Sequence, residues 1–456
     1  MTDHIVKITS SPHCISEKQF VFDVMIRDFL KLDYALEILD EADGYSITFE
    51  EKQILIPDVF FDQIYKKDHK LLPEVEAYQT GYDNASLDKL PGWFANKQRT
   101  NDSGIRTLPV DVIGMAFFLM SGYADIHFAE KDTHQRRIGS TSFIAKKNLI
   151  DRPIIQEWFT VLAGHLFGDE ELKPGKKLPA YSKHISHDVD QPFEYLNYSK
   201  TRLIKRLAGD VLVRKKPKKA KKRYQLYKKV KDGNYRVDPY NNFNEIVRLL
   251  EKHDLKSTFF FISGKPKSEY DAIYDIEHPA ISDILKQVHT AGHEIGLHPS
   301  YKTRHNPDLL RKEVQKLRMV CKSLGIDAPI ETSRKHYLRW DWRYTPRILQ
   351  KAGIKHDYTL GYADRTGYRA GVAFPFRAFG WESKESLEIK LHPLIVMEAS
   401  LLAEKYMGYT VKEAGQKIVF YHNQLNRLGG EFVLLWHNHE LIEPEKLTLF
   451  KKFLSL

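Results

Sequence analysis

Apolar positions in this chain keep two different rhythms, and the change falls near residue 181. Before it, Gly44-Tyr45-Ser46-Ile47-Thr48-Phe49 and Lys52-Gln53-Ile54-Leu55-Ile56-Pro57 flank Glu50-Glu51, which predicts a β-hairpin. Pro109 to Tyr123 predicts a buried helix opened by proline, with Asp111 in its first turn. Pro153 to Phe167 predicts a second helix, with Ile154, Trp158, Val161 and Leu162 on one face. Residues 1–168 therefore read as one α/β domain of unknown role. The polar stretch 169–180, with Pro174-Gly175-Lys176-Lys177, reads as a linker.

From Tyr181 the chain alternates apolar strands with helical stripes. Strands are expected at 183–189, 257–263, 294–298, 328–333, 356–361, 393–397 and 431–437. Ile281, Ile284, Leu285 and Val288 form one stripe. Asn306-Pro307 opens another, with Leu309, Leu310, Val314, Leu317, Cys321 and Leu324 on its apolar side and Gly325 as its stop. Seven strands with helical crossovers predict a parallel, barrel-like α/β domain over residues 181–456.

Composition narrows the class. A chain of 456 residues, 42% hydrophobic and 12% aromatic, has room for two or three domains and excludes a disordered protein. Two cysteines, Cys14 and Cys321, exclude a disulfide framework and favour a reducing compartment. The N-terminus shows no basic start followed by an apolar run, and the apolar helical run Val112 to Met120 is too short to span a bilayer. The expected location is cytoplasmic. Net charge is +10, but residues 200–231 alone carry fifteen Lys/Arg against one acid, Asp210, a local +14 that leaves the rest at −4. This is a basic insertion in an otherwise acidic chain.

Polar motifs sit at the predicted strand ends. Asp188 and Asp190, in Ser186-His187-Asp188-Val189-Asp190, are two apart on a strand end and point to one side, so one suits a general base and the other a metal. His298 closes Gly292-His293-Glu294-Ile295-Gly296-Leu297-His298 and suits a metal ligand, whereas His293 begins the strand and suits a structural role. Arg334, in Arg334-Lys335-His336-Tyr337, suits a group that keeps a carboxylate base ionised and aimed, and a backbone N–H there suits an oxyanion. His437 closes Leu434-Leu435-Trp436-His437 and suits a general acid. Each motif alone is equally a solvated turn or a hydrogen-bonded core histidine; their convergence on one face of a repeated strand–helix fold is what points to metal-assisted hydrolysis.

Together these motifs resemble the polysaccharide deacetylase family (NodB homology domain, carbohydrate esterase family 4) over about residues 181–440. The resemblance implies a distorted (β/α)7 barrel with an additional N-terminal α/β domain. It implies Asp188 as base, Asp190 and His298 as metal ligands, Arg334 as the residue orienting the base, and Tyr337 N–H as oxyanion donor. His437 becomes the general acid, and Asp364, in Gly361-Tyr362-Ala363-Asp364-Arg365, the acid that tunes it. The family's second metal histidine corresponds to Lys302, which as a cation cannot ligate a metal. Either another group, His336, completes the site, or Lys302 serves a metal-free one.

Gly296-Leu297-His298-Pro299-Ser300-Tyr301 and Tyr337-Leu338-Arg339-Trp340 are similar to a subgroup found in surface-polysaccharide gene clusters. The implied function is a divalent-metal (Zn²⁺) N-deacetylase acting on an acetamido sugar, nucleotide- or lipid-linked. Two other readings stay open: a metal-independent amide hydrolase on the same fold, and a non-catalytic glycan-binding or scaffold protein. The insertion 200–231 reads as a flexible solvated segment or, preferred here, a peripheral contact with anionic membrane. Few aromatics interleave its charges, so no nucleic-acid partner is expected.

Overall fold

The computed structural model describes residues 5–65, 72–82, 86–96, 105–265, 269–272 and 274–456. They group into two compact units, Met1–Lys183 with Tyr337–Leu434, and His184–His336 with Leu435–Leu456.

The first unit contains a five-stranded sheet in the order Tyr34–Ile38, Val6–Ser10, Tyr45–Phe49, Lys52–Ile56, Arg106–Thr107. The hairpin expected around Glu50-Glu51 is present, with Tyr45 opposite Ile56 and Phe49 opposite Lys52. Tyr45, Ile47 and Phe49 are buried and the residues between them are not, the alternation a half-buried strand requires. The helix expected over 109–123 is shorter, Val112–Met120, because Asp111 is its N-cap and Gly122, at φ 77°, breaks it before Tyr123–Phe128. The helix Ile154–Phe167 matches expectation. Residues 169–180 contain a short 3₁₀ turn, Asp169–Glu171, and a bridge between Pro174 and Leu178.

Asp111 does more than cap. Its fully buried carboxylate accepts N–H bonds from Gly114 at 2.7 Å, Val59 at 2.9 Å and Phe60 at 2.8 Å. Asp111→Ala leaves three buried amides unpaired. It is expected to cost about 3 kcal/mol or more, read as a lowered denaturation midpoint; an unchanged midpoint would contradict this account.

In the second unit residues 184–189 of the strand Tyr181–Val189, then Ser257–Phe261, Glu294–Leu297 and Thr332–Ser333, lie side by side in that order, all parallel. Helices Phe243–Lys252, Pro279–Thr290 and Pro307–Ser323 lie in sequence between successive strands of this set. The strand expected over 328–333 shrinks to Thr332–Ser333, since Pro329 has no N–H to give a ladder. In the first unit the strand expected over 356–361 shrinks to His356–Asp357, because the Asp357 side chain takes the Thr359 amide at 2.9 Å.

The basic insertion is not a flexible loop. Ser199 caps a helix, Lys200–Ala208, which continues as π-helical turns to Val213; Pro217 then opens a second helix, Pro217–Lys231. Leu203 and Val230 pack with Tyr195 and Tyr198 in a small core. The segment's one acid, Asp210, is fully buried and binds Arg214 and Arg223, each at 2.7 Å. Two of the fifteen cations are thus spent on holding the hairpin shut.

Candidate active site

The site is built from strand ends of the second unit. At the end of Tyr181–Val189, alternation sends His187 to one face and Asp188 to the other, with Asp190 on the Asp188 side. His187 stacks on Phe259 with ring centroids 4.8 Å apart and bonds the Trp436 carbonyl through Nδ1 at 2.7 Å. Burial pushes its pKa down to about 3, so it is a neutral structural histidine. Next door, the His298 N–H donates to the Phe261 carbonyl, Arg334 N–H to Leu297 and His336 N–H to Pro299, each 2.8 to 3.2 Å long. These bonds carry the parallel register past the strand ends and bring His298, Arg334 and His336 together. Trp436 N–H donates to the Ser186 carbonyl at 3.0 Å, which sets His437 beside the two aspartates.

Six of the eight expected residues meet here. Arg334, fully buried over the face of Phe260 at 4.6 Å, donates from Nη1 to Asp188 Oδ1 at 3.0 Å. Asp190 faces three histidines: His298 Nε2 at 3.2 Å and His336 Nε2 at 3.4 Å from its Oδ1, and His437 Nε2 at 3.6 Å from its Oδ2. Tyr337 and Asp364 belong to the first unit. Tyr337 sits at φ 62°, a left-handed conformation, and its carbonyl accepts from Arg136 Nη1 at 3.1 Å. Asp364 accepts the Gly139 and Ser140 amides at 2.7 and 3.0 Å.

The donor set fits a divalent ion. Asp190, His298 and His336 each offer one ligand atom within 4.8 Å of the others. His298 Nδ1 lies 2.5 Å from the Arg334 carbonyl, so that nitrogen carries the proton and Nε2 presents a lone pair. Nε2 and Asp190 Oδ1 are buried, face each other and make no hydrogen bond. Two acceptors left in that arrangement call for a cation between them. The carboxylates and the histidines also favour each other's charged forms. Burial alone would raise the Asp190 carboxyl, but His336 and His298 hold it well below the usual carboxylate range. Burial alone would lower His298, but Asp188 and Asp190 raise it.

Lys302 is exposed on the 3₁₀ turn Tyr301–His305, and His305 is exposed too. The three-residue cluster draws instead on His336. Residues the sequence did not single out hold the loops. Glu313 is buried on the apolar side of Pro307–Ser323, where its carboxylate takes the Ser300 N–H at 2.9 Å and the Ser300 hydroxyl. Lys335 Nζ donates to Thr303 Oγ1 at 2.6 Å. Asn438 Nδ2 bonds the carbonyls of Gln191 at 3.1 Å and Tyr240 at 2.9 Å, tying the turn after His437 to the loop after Asp190. A carboxylate within an apolar helical stripe was a legible signal for Glu313; Lys335 and Asn438 gave none.

Residues 231–356 match the polysaccharide deacetylase family, and residues 6–168 match a family of unknown function (DUF7033). A search of curated proteins finds no match. Solved structures that align include one from Mycobacterium smegmatis assigned provisionally to the polysaccharide deacetylases. It is 16% identical, covers 62% of this chain and 88% of its own, and has a TM-score of 0.39. A chitin deacetylase from the fungal pathogen Colletotrichum lindemuthianum is 13% identical, covers 60% and 80%, and has a TM-score of 0.28.

Proposed function

We propose that this chain, which carries a polysaccharide deacetylase domain and is by class a carbohydrate deacetylase, removes the acetyl group from an acetamido sugar of a surface-polysaccharide precursor. The observation that carries the reading is the convergence of Asp190, His298 and His336 beside the Asp188–Arg334 pair. A divalent ion held by the three, Zn²⁺ by the chemistry of the donors, would supply Lewis acidity toward the acetyl carbonyl and the attacking water. The protein's own groups do the rest. Asp188 takes the water proton while Arg334 fixes its carboxylate. The Tyr337 backbone N–H donates to the developing oxyanion. His437 protonates the departing amine. The test is acetate release from a panel of nucleotide- and lipid-linked acetamido sugars. Release from at least one, with an amine as co-product, is expected; release from none overturns the reading.

The carrier-linked substrate and a cytoplasmic, membrane-peripheral location belong to the same proposal. Both cysteines are unpaired, and among the described residues no helix is long and apolar enough to cross a membrane. The basic hairpin offers an anchor. At its turn Leu212 and Val213 are 76% and 78% exposed, next to Arg214, Lys215, Lys216, Lys218 and Lys219. Exposed apolar side chains ringed by cations suit an anionic lipid interface, where each cation contributes about 1 kcal/mol. Leu212→Glu with Val213→Glu is expected to cut co-sedimentation with phosphatidylglycerol-containing vesicles at least about tenfold, without changing turnover of a soluble sugar. No binding of the unmodified protein at moderate salt would remove the anchor from the proposal.

A further inference from the structure

Nothing above gives the N-terminal region a task, and a cavity in the first unit supplies one. It measures about 290 Å³, near the lower end for small-ligand pockets, and its charged lining is Asp132, Arg136, Arg137, Asp364, Arg365 and Lys405. Both carboxylates are already committed. Asp132 accepts the His134 and Arg136 amides at 2.9 Å each and the Arg136 guanidinium at 2.7 Å. Asp364 is held by the Gly139 and Ser140 amides. Arg136 is braced in turn, with Nη1 on the Tyr337 carbonyl and Nη2 on the Tyr406 hydroxyl at 3.3 Å. That leaves the Tyr406 hydroxyl proton to donate elsewhere. A bridge between Lys131 and Arg137 and a bond from Arg339 Nε to the His134 carbonyl stiffen the loop. At the mouth Arg365 and Lys405 are exposed and make no ion pair among the described residues.

We propose that this cavity binds a phosphate or diphosphate group. Four cations against two carboxylates leave an excess of two, which matches the charge of about −2 of a phosphate ester. A carboxylate ligand brings only one charge. Arginine forks and a mobile lysine are the usual partners of phosphoryl oxygens, and a braced loop spares the ordering cost of binding. The loop 131–140 comes from the segment matching the family of unknown function, so the N-terminal region contributes one wall of the site and residues 363–406 the other.

Calorimetric titration of the full chain at low salt tests this with inorganic pyrophosphate, uridine diphosphate and farnesyl diphosphate, and with sulfate as control. Saturable pyrophosphate binding is expected. Arg365→Ala with Lys405→Ala, both on the surface, is expected to weaken it at least about tenfold with an unchanged denaturation midpoint. Tighter uridine diphosphate assigns the phosphate to a nucleotide carrier, tighter farnesyl diphosphate to a lipid carrier, and equal affinities to the diphosphate alone; each supports the site. No saturable binding, equally tight sulfate, or full affinity in the double variant overturns it. Acetate release is not the readout, so the site and the deacetylase reading stand or fall separately.

Discussion

Asp188→Asn is expected to lower acetate release by roughly 10²-fold or more, because asparagine keeps the shape of the side chain and loses its affinity for a proton. The effect should fall on kcat. Asp188 is buried with its Oδ1 on Arg334, and the asparagine carbonyl can still accept that bond. Binding of sugar and ion, which rest on other groups, should change little. Leaving the Arg334 charge buried without its counter-ion is expected to lower stability by a few kcal/mol, so turnover is compared on protein shown to be folded. Arg334→Ala makes the complementary case: it keeps the base and removes what aims it, and its loss should be smaller than that of Asp188→Asn. Unmodified acetate release by folded Asp188→Asn would end the assignment of Asp188 as base.

How far the site could be read in the sequence follows from where its information lies. Asp188, Asp190, His298 and His437 each end an apolar run, and a parallel sheet flanked by helices sends all its strand ends to one face. Period and polarity therefore place these residues together, while their separate roles come from the family resemblance. His336 entered through the family resemblance, which puts Lys302 where the family has a second metal histidine; in the structure Lys302 is exposed and His336 is buried facing Asp190. The basic segment 200–231 was legible as charge and not as structure. What folds it is one acid, Asp210, placed four residues before Arg214 and thirteen before Arg223. A count of net charge hides such a residue. Nor does composition mark the passage from one unit to the other between His336 and Tyr337, which falls inside a polar motif with no linker-like residues. Pro329 and the Asp357 side chain shortened two strands by local chemistry that hydrophobicity does not record.

Asp190→Ala combined with His298→Ala is expected to abolish both bound metal and activity while leaving the protein folded. The expectation rests on two atoms. His298 Nδ1 is committed to the Arg334 carbonyl, so Nε2 points a lone pair at Asp190 Oδ1, and burial denies both atoms water. An ion satisfies both; removing both side chains removes the need for it together with the means of holding it. Folding should survive, because the core of Ile185, Val189, Phe259, Phe261, Ile295 and Leu297 around these strand ends does not pass through the site. His336→Ala alone should weaken the ion without erasing it, since two of the three ligand atoms remain, and loss of one ligand or its support commonly costs 10- to 100-fold in affinity as an order of magnitude. Elemental analysis of purified protein reads the stoichiometry directly: about one ion per chain in the unmodified protein, a reduced share in His336→Ala after dialysis, and none in the double variant. Full occupancy in the double variant would place the ion elsewhere. An unmodified protein that takes up no divalent ion, even when one is supplied, would leave the His298–Asp190 contact to a proton and remove the metal from the reaction.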